Sequence, residues 1–76
     1  MKFENIRNLR EDNDKTQKEV AAYLNIKQTT YSKYELGIRL IPIDKLNLLA
    51  DYYETTVDYL IGRSNIKKPY TEKQRT

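Results

Sequence analysis

A small all-α domain is the fold class this sequence predicts, and three observations predict it. Apolar residues recur at helical spacing in several segments, as in Val20, Ala21 and Leu24. Helix start and stop signals bound those segments. Thr16 with Glu19 three residues on forms a capping box, while Asn25 and Gly37 suit the left-handed turns that end helices. No stretch alternates as a half-buried strand would.

Taken in order, the first helix is expected from Phe3 to Asp12, with Phe3, Ile6 and Leu9 on its inner stripe. Asn13-Asp14-Lys15 is a polar connector into the Thr16 cap, whose box satisfies amides that a helix start leaves free. After the second helix Asn25 turns the chain, since Asn tolerates left-handed backbone. A third helix is expected from Lys27 to Glu35, stopped near Gly37. With Ile26, Tyr31 and Tyr34 inward, it leaves Gln28, Thr29, Ser32 and Lys33 outside. The segment IRLIP is a loop, and Pro42 suits entry into a fourth helix from Asp44 to Tyr53. There Leu46, Leu49, Ala50 and Tyr53 share a face. Thr56 caps a short fifth helix with Val57, Leu60 and Ile61 inward, closed by Gly62. Residues 63–76 hold Pro69 and many charges and are expected as a flexible tail, which makes 1–62 the domain. Tyr23, Tyr31, Tyr34, Tyr52 and Tyr53 are expected at the core edge with hydroxyls in water.

IRNLRE (6–11), TQKEVAAYL (16–24), YSKYELG (31–37), Pro42, KLNLLADYY (45–53) and VDYLIG (57–62) stand in an order and with gaps that resemble the Cro and phage-repressor type of helix-turn-helix domain, the Xre family. The resemblance covers residues 3–62. It implies a compact five-helix, lambda-repressor-like fold with the helix-turn-helix at helices two and three. It also implies a third helix that enters the major groove of double-stranded DNA, Gln28 on a base, Gln17 clamping the DNA backbone, and an ion pair between Arg10 and Glu35. The chain departs from the pattern at five positions. Lys27 stands where a Ser or Thr cap is usual, Asn13 and Asn25 replace turn glycines, Lys15 stands at a usually apolar position, and Leu36 at a usually polar one.

Chemistry supports the recognition roles residue by residue. A Gln amide donates to and accepts from adenine together, so Gln28 is the leading base reader. Thr29 suits a thymine methyl, Ser32 shares the exposed face, and Lys33 suits guanine or a phosphate. Gln17 stands at a helix amino end, where free amides and the dipole attract a phosphate. Lys27 and Arg39 are the other phosphate candidates. Tyr52 and Tyr59 are candidates for a subunit interface, where Tyr is enriched.

Bulk properties narrow the choice. Residues 1–62 carry nine basic and ten acidic residues, so the basic excess sits in 63–76 and a DNA-binding reading rests on where charges lie. Cys and His are absent, leaving no thiol chemistry, no expected metal site and no expected cofactor. No apolar run approaches the roughly 20 residues of a membrane helix, and no signal-like start is visible, so a cytoplasmic protein is expected. An enzyme is the poorest reading: there are two glycines and no carboxylate pair in an apolar stretch. A homodimeric transcriptional repressor on a palindromic operator is the leading reading. The alternative is a protein-binding module such as an antitoxin, supported by the apolar run from Leu36 to Ile43 and the basic tail. Whether that run tucks onto the core or meets a partner stays open.

Overall fold

A computed structural model describes residues 2–67. Five helices follow in order: α1 (Glu4–Asp12), α2 (Gln17–Leu24), α3 (Gln28–Leu36), α4 (Ile43–Tyr52) and α5 (Val57–Leu60). Helices of four to ten residues are unstable alone in water, so their ends and shared core must hold them.

The starts differ in quality. Thr16 Oγ1 accepts from the Glu19 amide at 3.0 Å while the Thr16 amide donates to Glu19 at 2.8 Å, the reciprocal box the spacing predicts. Thr56 caps α5 by accepting from the Tyr59 amide at 3.1 Å. Phe3, Lys27 and Pro42 precede α1, α3 and α4 with no side-chain cap. Consequently α1, α3 and α4 each begin one residue from the expected start. Phe3 is extended and packs half-buried on the core, and Pro42 supplies its carbonyl to Leu46 at 3.0 Å from outside the helix.

The stops are uniform. Each helix is closed by a residue at positive φ, namely Asp14, Asn25, Gly37, Glu54 and Gly62. The following amide then reaches back five residues: Lys15 to Arg10, Ile26 to Ala21, Ile38 to Lys33, Thr55 to Ala50 and Arg63 to Asp58, at 2.8–3.0 Å. This satisfies carbonyls that a helix end leaves bare. The left-handed position after α1 falls on Asp14 and not on Asn13, whose side chain instead donates to the Leu9 carbonyl at 2.8 Å.

Inside lie Ile6 and Leu9 of α1, Val20, Ala21 and Leu24 of α2, Tyr31 and Tyr34 of α3, Leu46, Leu49 and Ala50 of α4, and Leu60 of α5. Ile41 also turns in from the loop. Polar links cross this core. Asn5 Nδ2 donates to the Tyr59 carbonyl at 2.6 Å, joining α1 to α5, and Lys45 Nζ donates to the Leu24 carbonyl at 3.0 Å, joining α4 to the end of α2. Residues 63–67 are tied back, with Thr55 Oγ1 donating to the Lys67 carbonyl. The rest of the expected tail, including 68–76, lies outside the described residues.

One polar cluster spans three helices. Arg10 of α1 donates through Nε to Glu35 Oε2 at 2.6 Å and through Nη2 to Oε1 at 3.2 Å. Gln17 of α2 donates to Oε1 at 3.1 Å, and the Tyr31 hydroxyl donates to Oε2 at 2.5 Å. The Glu35 side chain is 4% exposed and that of Arg10 13%. Burial alone pushes the Glu35 carboxyl up, but donors from Arg10, Tyr31 and Gln17 outweigh it and hold the group below its ordinary value. The hydrogen bond to Glu35 raises the Arg10 guanidinium further.

Two tyrosines correct the expectation of hydroxyls in water. Tyr31 is wholly buried, and burial followed by the Glu35 bond pushes its hydroxyl far up. The Tyr53 hydroxyl is buried without a partner among the described residues, and burial raises it too. The difference arises because the core has a carboxylate to offer Tyr31 and nothing to offer Tyr53.

Arg10→Ala is expected to cost about 3–5 kcal/mol in chemical denaturation, since it strands a buried charge. Tyr31→Phe is expected to cost about 1–3 kcal/mol, whereas Tyr53→Phe, which removes an unsatisfied group, is expected to be neutral or stabilising. A Tyr53→Phe protein that melts well below the parent contradicts this reading of the core. Stability should also follow pH with a defined sign. Because the folded-state Glu35 value is depressed, its contribution is full above the ordinary glutamate value of 4.5 and disappears as pH falls through the lower folded value. Melting curves from pH 7 to 3 should therefore fall more steeply for the parent than for Glu35→Gln, which starts lower.

Candidate nucleic-acid interface

The turn between α2 and α3 is built by Asn25 at φ 60° and ψ 44°, so three residues, Asn25 to Lys27, carry the chain from one helix into the next. On α3 the spacing then sorts side chains by face. Tyr31, Tyr34 and Glu35 are buried, while Gln28, Thr29 and Lys33 are exposed and Ser32 is partly covered. Gln28, Ser32 and Leu36 follow one another at intervals of four, forming a single stripe. The inner face is therefore held by the core and the Glu35 cluster, whereas among the described residues the side chains of Gln28, Thr29, Ser32 and Lys33 make no hydrogen bond or ion pair. They offer an amide, hydroxyls and an ammonium group, a set matched to base edges.

The remaining candidates fall into two groups. Gln17 opens α2, but its amide nitrogen is committed to Glu35, leaving one N–H of that group for another acceptor. Lys27, at the entry to α3, and Arg39, in the loop after it, are both exposed. Tyr52 is packed within its own chain. Its ring stacks on Tyr23 at 4.2 Å between centroids and meets Tyr53 edge-on at 5.0 Å, with Lys15 Nζ 5.8 Å from the ring centre. Lys15 thus lays its ammonium over an aromatic face. Tyr59 is half-buried and packs against the core.

The structure divides the apolar loop. Ile41 enters the core, whereas Leu36, Ile38, Leu40 and Ile43 stay 59%, 69%, 66% and 63% exposed. Sequence reasoning missed the Tyr31 hydroxyl as a partner for Glu35. The available signal was spacing: Tyr31 and Glu35 stand four apart on one helix face. Among the described residues, no group of three or more His, Cys, Asp or Glu is placed to hold a metal ion, and no helix is long and apolar enough to cross a membrane.

Comparison with known proteins agrees with this geometry. Residues 6–60 match the helix-turn-helix family. The chain is 31% identical over 74 residues to the HTH-type transcriptional regulator YobD of Bacillus subtilis (strain 168), covering 97% of this chain and 66% of that one. It is 34% identical over 68 residues to the HTH-type transcriptional regulator AnsR of the same organism, covering 90% and 59%. Against the cryptic phage CTXphi transcriptional repressor RstR of Vibrio cholerae it is 38% identical over 60 residues, covering 79% and 54%. The chain thus spans roughly half to two-thirds of these relatives. A transcriptional regulator from Listeria innocua superposes with a TM-score of 0.75 at 26% identity, over 90% of this chain and 62% of that one. Family and fold are those of DNA-binding regulators, not enzymes. The chain belongs to the Cro and phage-repressor (Xre) family of helix-turn-helix DNA-binding transcriptional regulators.

Proposed function

We propose that this regulator binds a two-fold symmetric operator as a homodimer and represses transcription, with α3 in the major groove. The observation that carries the proposal is the division of α3 into a fixed inner face and an outer face of exposed Gln28, Thr29 and Lys33. Gln28 reads adenine through its amide, Thr29 packs on a thymine methyl, Ser32 bonds a base edge, and Lys33 meets guanine or a phosphate. Gln17, Lys27 and Arg39 grip phosphates and set register. One recognition helix covers few base pairs, so two half-sites about 34–36 Å apart supply the specificity. The name of the phage repressor relative supports repression.

A second reading has its own support. The side chains of Leu36, Ile38, Leu40 and Ile43 are all exposed within eight residues of chain, apolar surface that suits a protein partner, as in an antitoxin. Polarisation binding to DNA from upstream of the gene separates the two. Saturable, sequence-dependent binding supports the repressor, and its absence, with tight binding to the product of the neighbouring gene, supports the module.

Gln28→Ala is expected to cost about 1–3 kcal/mol on the operator and to relax preference at one base pair. If it weakens all sequences equally, Gln28 is not a base reader. With three or four phosphate contacts per subunit, log K should fall against log salt with a slope of roughly −5 to −7.

A further inference from the structure

The geometry points to a further phosphate-binding site for the DNA backbone, formed by Lys2 and Arg7 in a cleft between the amino-terminal segment, α1 and the far end of α3. The proposal rests on the DNA-binding reading above and extends it to residues outside the helix-turn-helix.

The cleft measures about 140 Å³ and is lined by Lys2, Arg7, Arg10, Gln17, Glu35 and Leu36. At about 30 Å³ per water, it has room for the oxygens of one phosphate group. Three of its walls are cations and one is a carboxylate. That carboxylate is already saturated: Glu35 Oε1 accepts from Arg10 and Gln17, and Oε2 from Arg10 and Tyr31. Arg10 also offsets the Glu35 charge, so the net charge that lines the cleft is that of Lys2 and Arg7. A second cleft of about 100 Å³ shares Lys2 and Arg7 but adds Glu4 and Glu11. Its cations are balanced by acids, so an anion prefers the first.

Placement ties the cleft to the recognition surface. Gln17 and Leu36 belong to both, and Leu36 continues the Gln28–Ser32 stripe by one turn. A duplex laid along that stripe brings a flanking strand over Lys2 and Arg7. Lys2 is held there by packing, because its backbone closes over Gly37. A β-carbon added at Gly37 would meet Lys2 Cβ at 2.9 Å and Lys2 Cα at 3.1 Å. Among the described residues Arg7 donates through Nε to Glu11 at 2.9 Å, in an exposed pair four residues apart. Its two terminal nitrogens remain to fork onto a phosphate.

The test is operator binding by the double variant Lys2→Ala/Arg7→Ala, measured against salt and on several operator sequences. Both residues are exposed, so the fold should persist, as circular dichroism would confirm. The slope of log K against log salt should become shallower by about 1–2, affinity should fall by a similar factor on every sequence, and Arg7→Lys with Lys2 intact should keep the parent slope. If the parent binds its operator selectively and the double variant has the same slope, the site is wrong while the DNA-binding reading survives. If the parent shows no sequence-dependent binding, the underlying reading fails instead. A titration with inorganic phosphate followed by amide shifts supplies the other arm. Tight saturation at Lys2 and Arg7, with the DNA slope unmoved, makes this a small-anion site and overturns the assignment to the DNA backbone.

Discussion

The Glu35 carboxylate is the constraint on which the arrangement of this domain depends. It is a charge buried near the end of α3, and burial of a charge is tolerated only where donors replace water. Those donors come from three elements: Arg10 from α1, Gln17 from α2 and Tyr31 from α3 itself. An apolar contact tolerates sliding, because its energy depends on area more than direction. Four hydrogen bonds on two oxygens do not. The cluster therefore sets how α3 is rotated about its axis, and that rotation decides which side chains face outward. The site is defined by what is turned away from Glu35.

The same cluster links the two surfaces proposed to meet DNA. Gln17 touches Glu35 with one N–H while standing at the start of α2, and Arg10 also donates through Nη1 to the Lys15 carbonyl at 3.0 Å, just before the Thr16 cap. The amino end of α2 and the outward stripe of α3 are thus fastened to one anchor. Relative movement of the proposed phosphate and base contacts would have to break charge-assisted hydrogen bonds, and preorganisation of this kind reduces the ordering cost of binding.

Legibility followed the range over which each signal acts. Thr16 with Glu19, Asn25, Gly37, Thr56 and Gly62 act within four residues of chain, and their roles could be read directly. So could the buried faces at Ile6, Leu9, Leu46 and Leu49, because helical period alone determines them. Asp14 was masked as a left-handed position by Asn13 beside it, where the turn was expected, and Glu54 gave no signal, since Glu does not favour that backbone. Asp14 and Glu54 adopt it because Lys15 and Thr55 amides must reach Arg10 and Ala50 carbonyls once the helices have packed. The tie from Thr55 to the Lys67 carbonyl and the fate of the Tyr31 hydroxyl were hidden for a similar reason. Each depends on what the fold brings near, not on what the residue prefers. On the outer face of α3 only the polarity of Gln28, Thr29, Ser32 and Lys33 was legible, and a solvated helix would show the same.

A body of nine basic and ten acidic residues attracts DNA only if its charges are sorted. Internal commitments do part of the sorting. Arg10 is bound by Glu35, Lys45 by the Leu24 carbonyl, and Lys15 lies over Tyr52. Of the exposed cations that remain in residues 1–62, Lys27, Lys33 and Arg39 lie on α3 or beside it, where no acid is exposed, whereas Lys2, Arg7 and Lys18 share α1, α2 and their flanks with exposed Glu4, Glu11, Asp12, Asp14 and Glu19. Asp44, Asp51, Glu54 and Asp58 are exposed on α4, α5 and the turn between. Such a molecule gains little from its net charge when it meets a duplex in the wrong orientation, and more when α3 and the loop after it face it. Weak attraction in wrong orientations lowers nonspecific binding, and a regulator in a genome of competing sites is limited by that ratio more than by affinity alone.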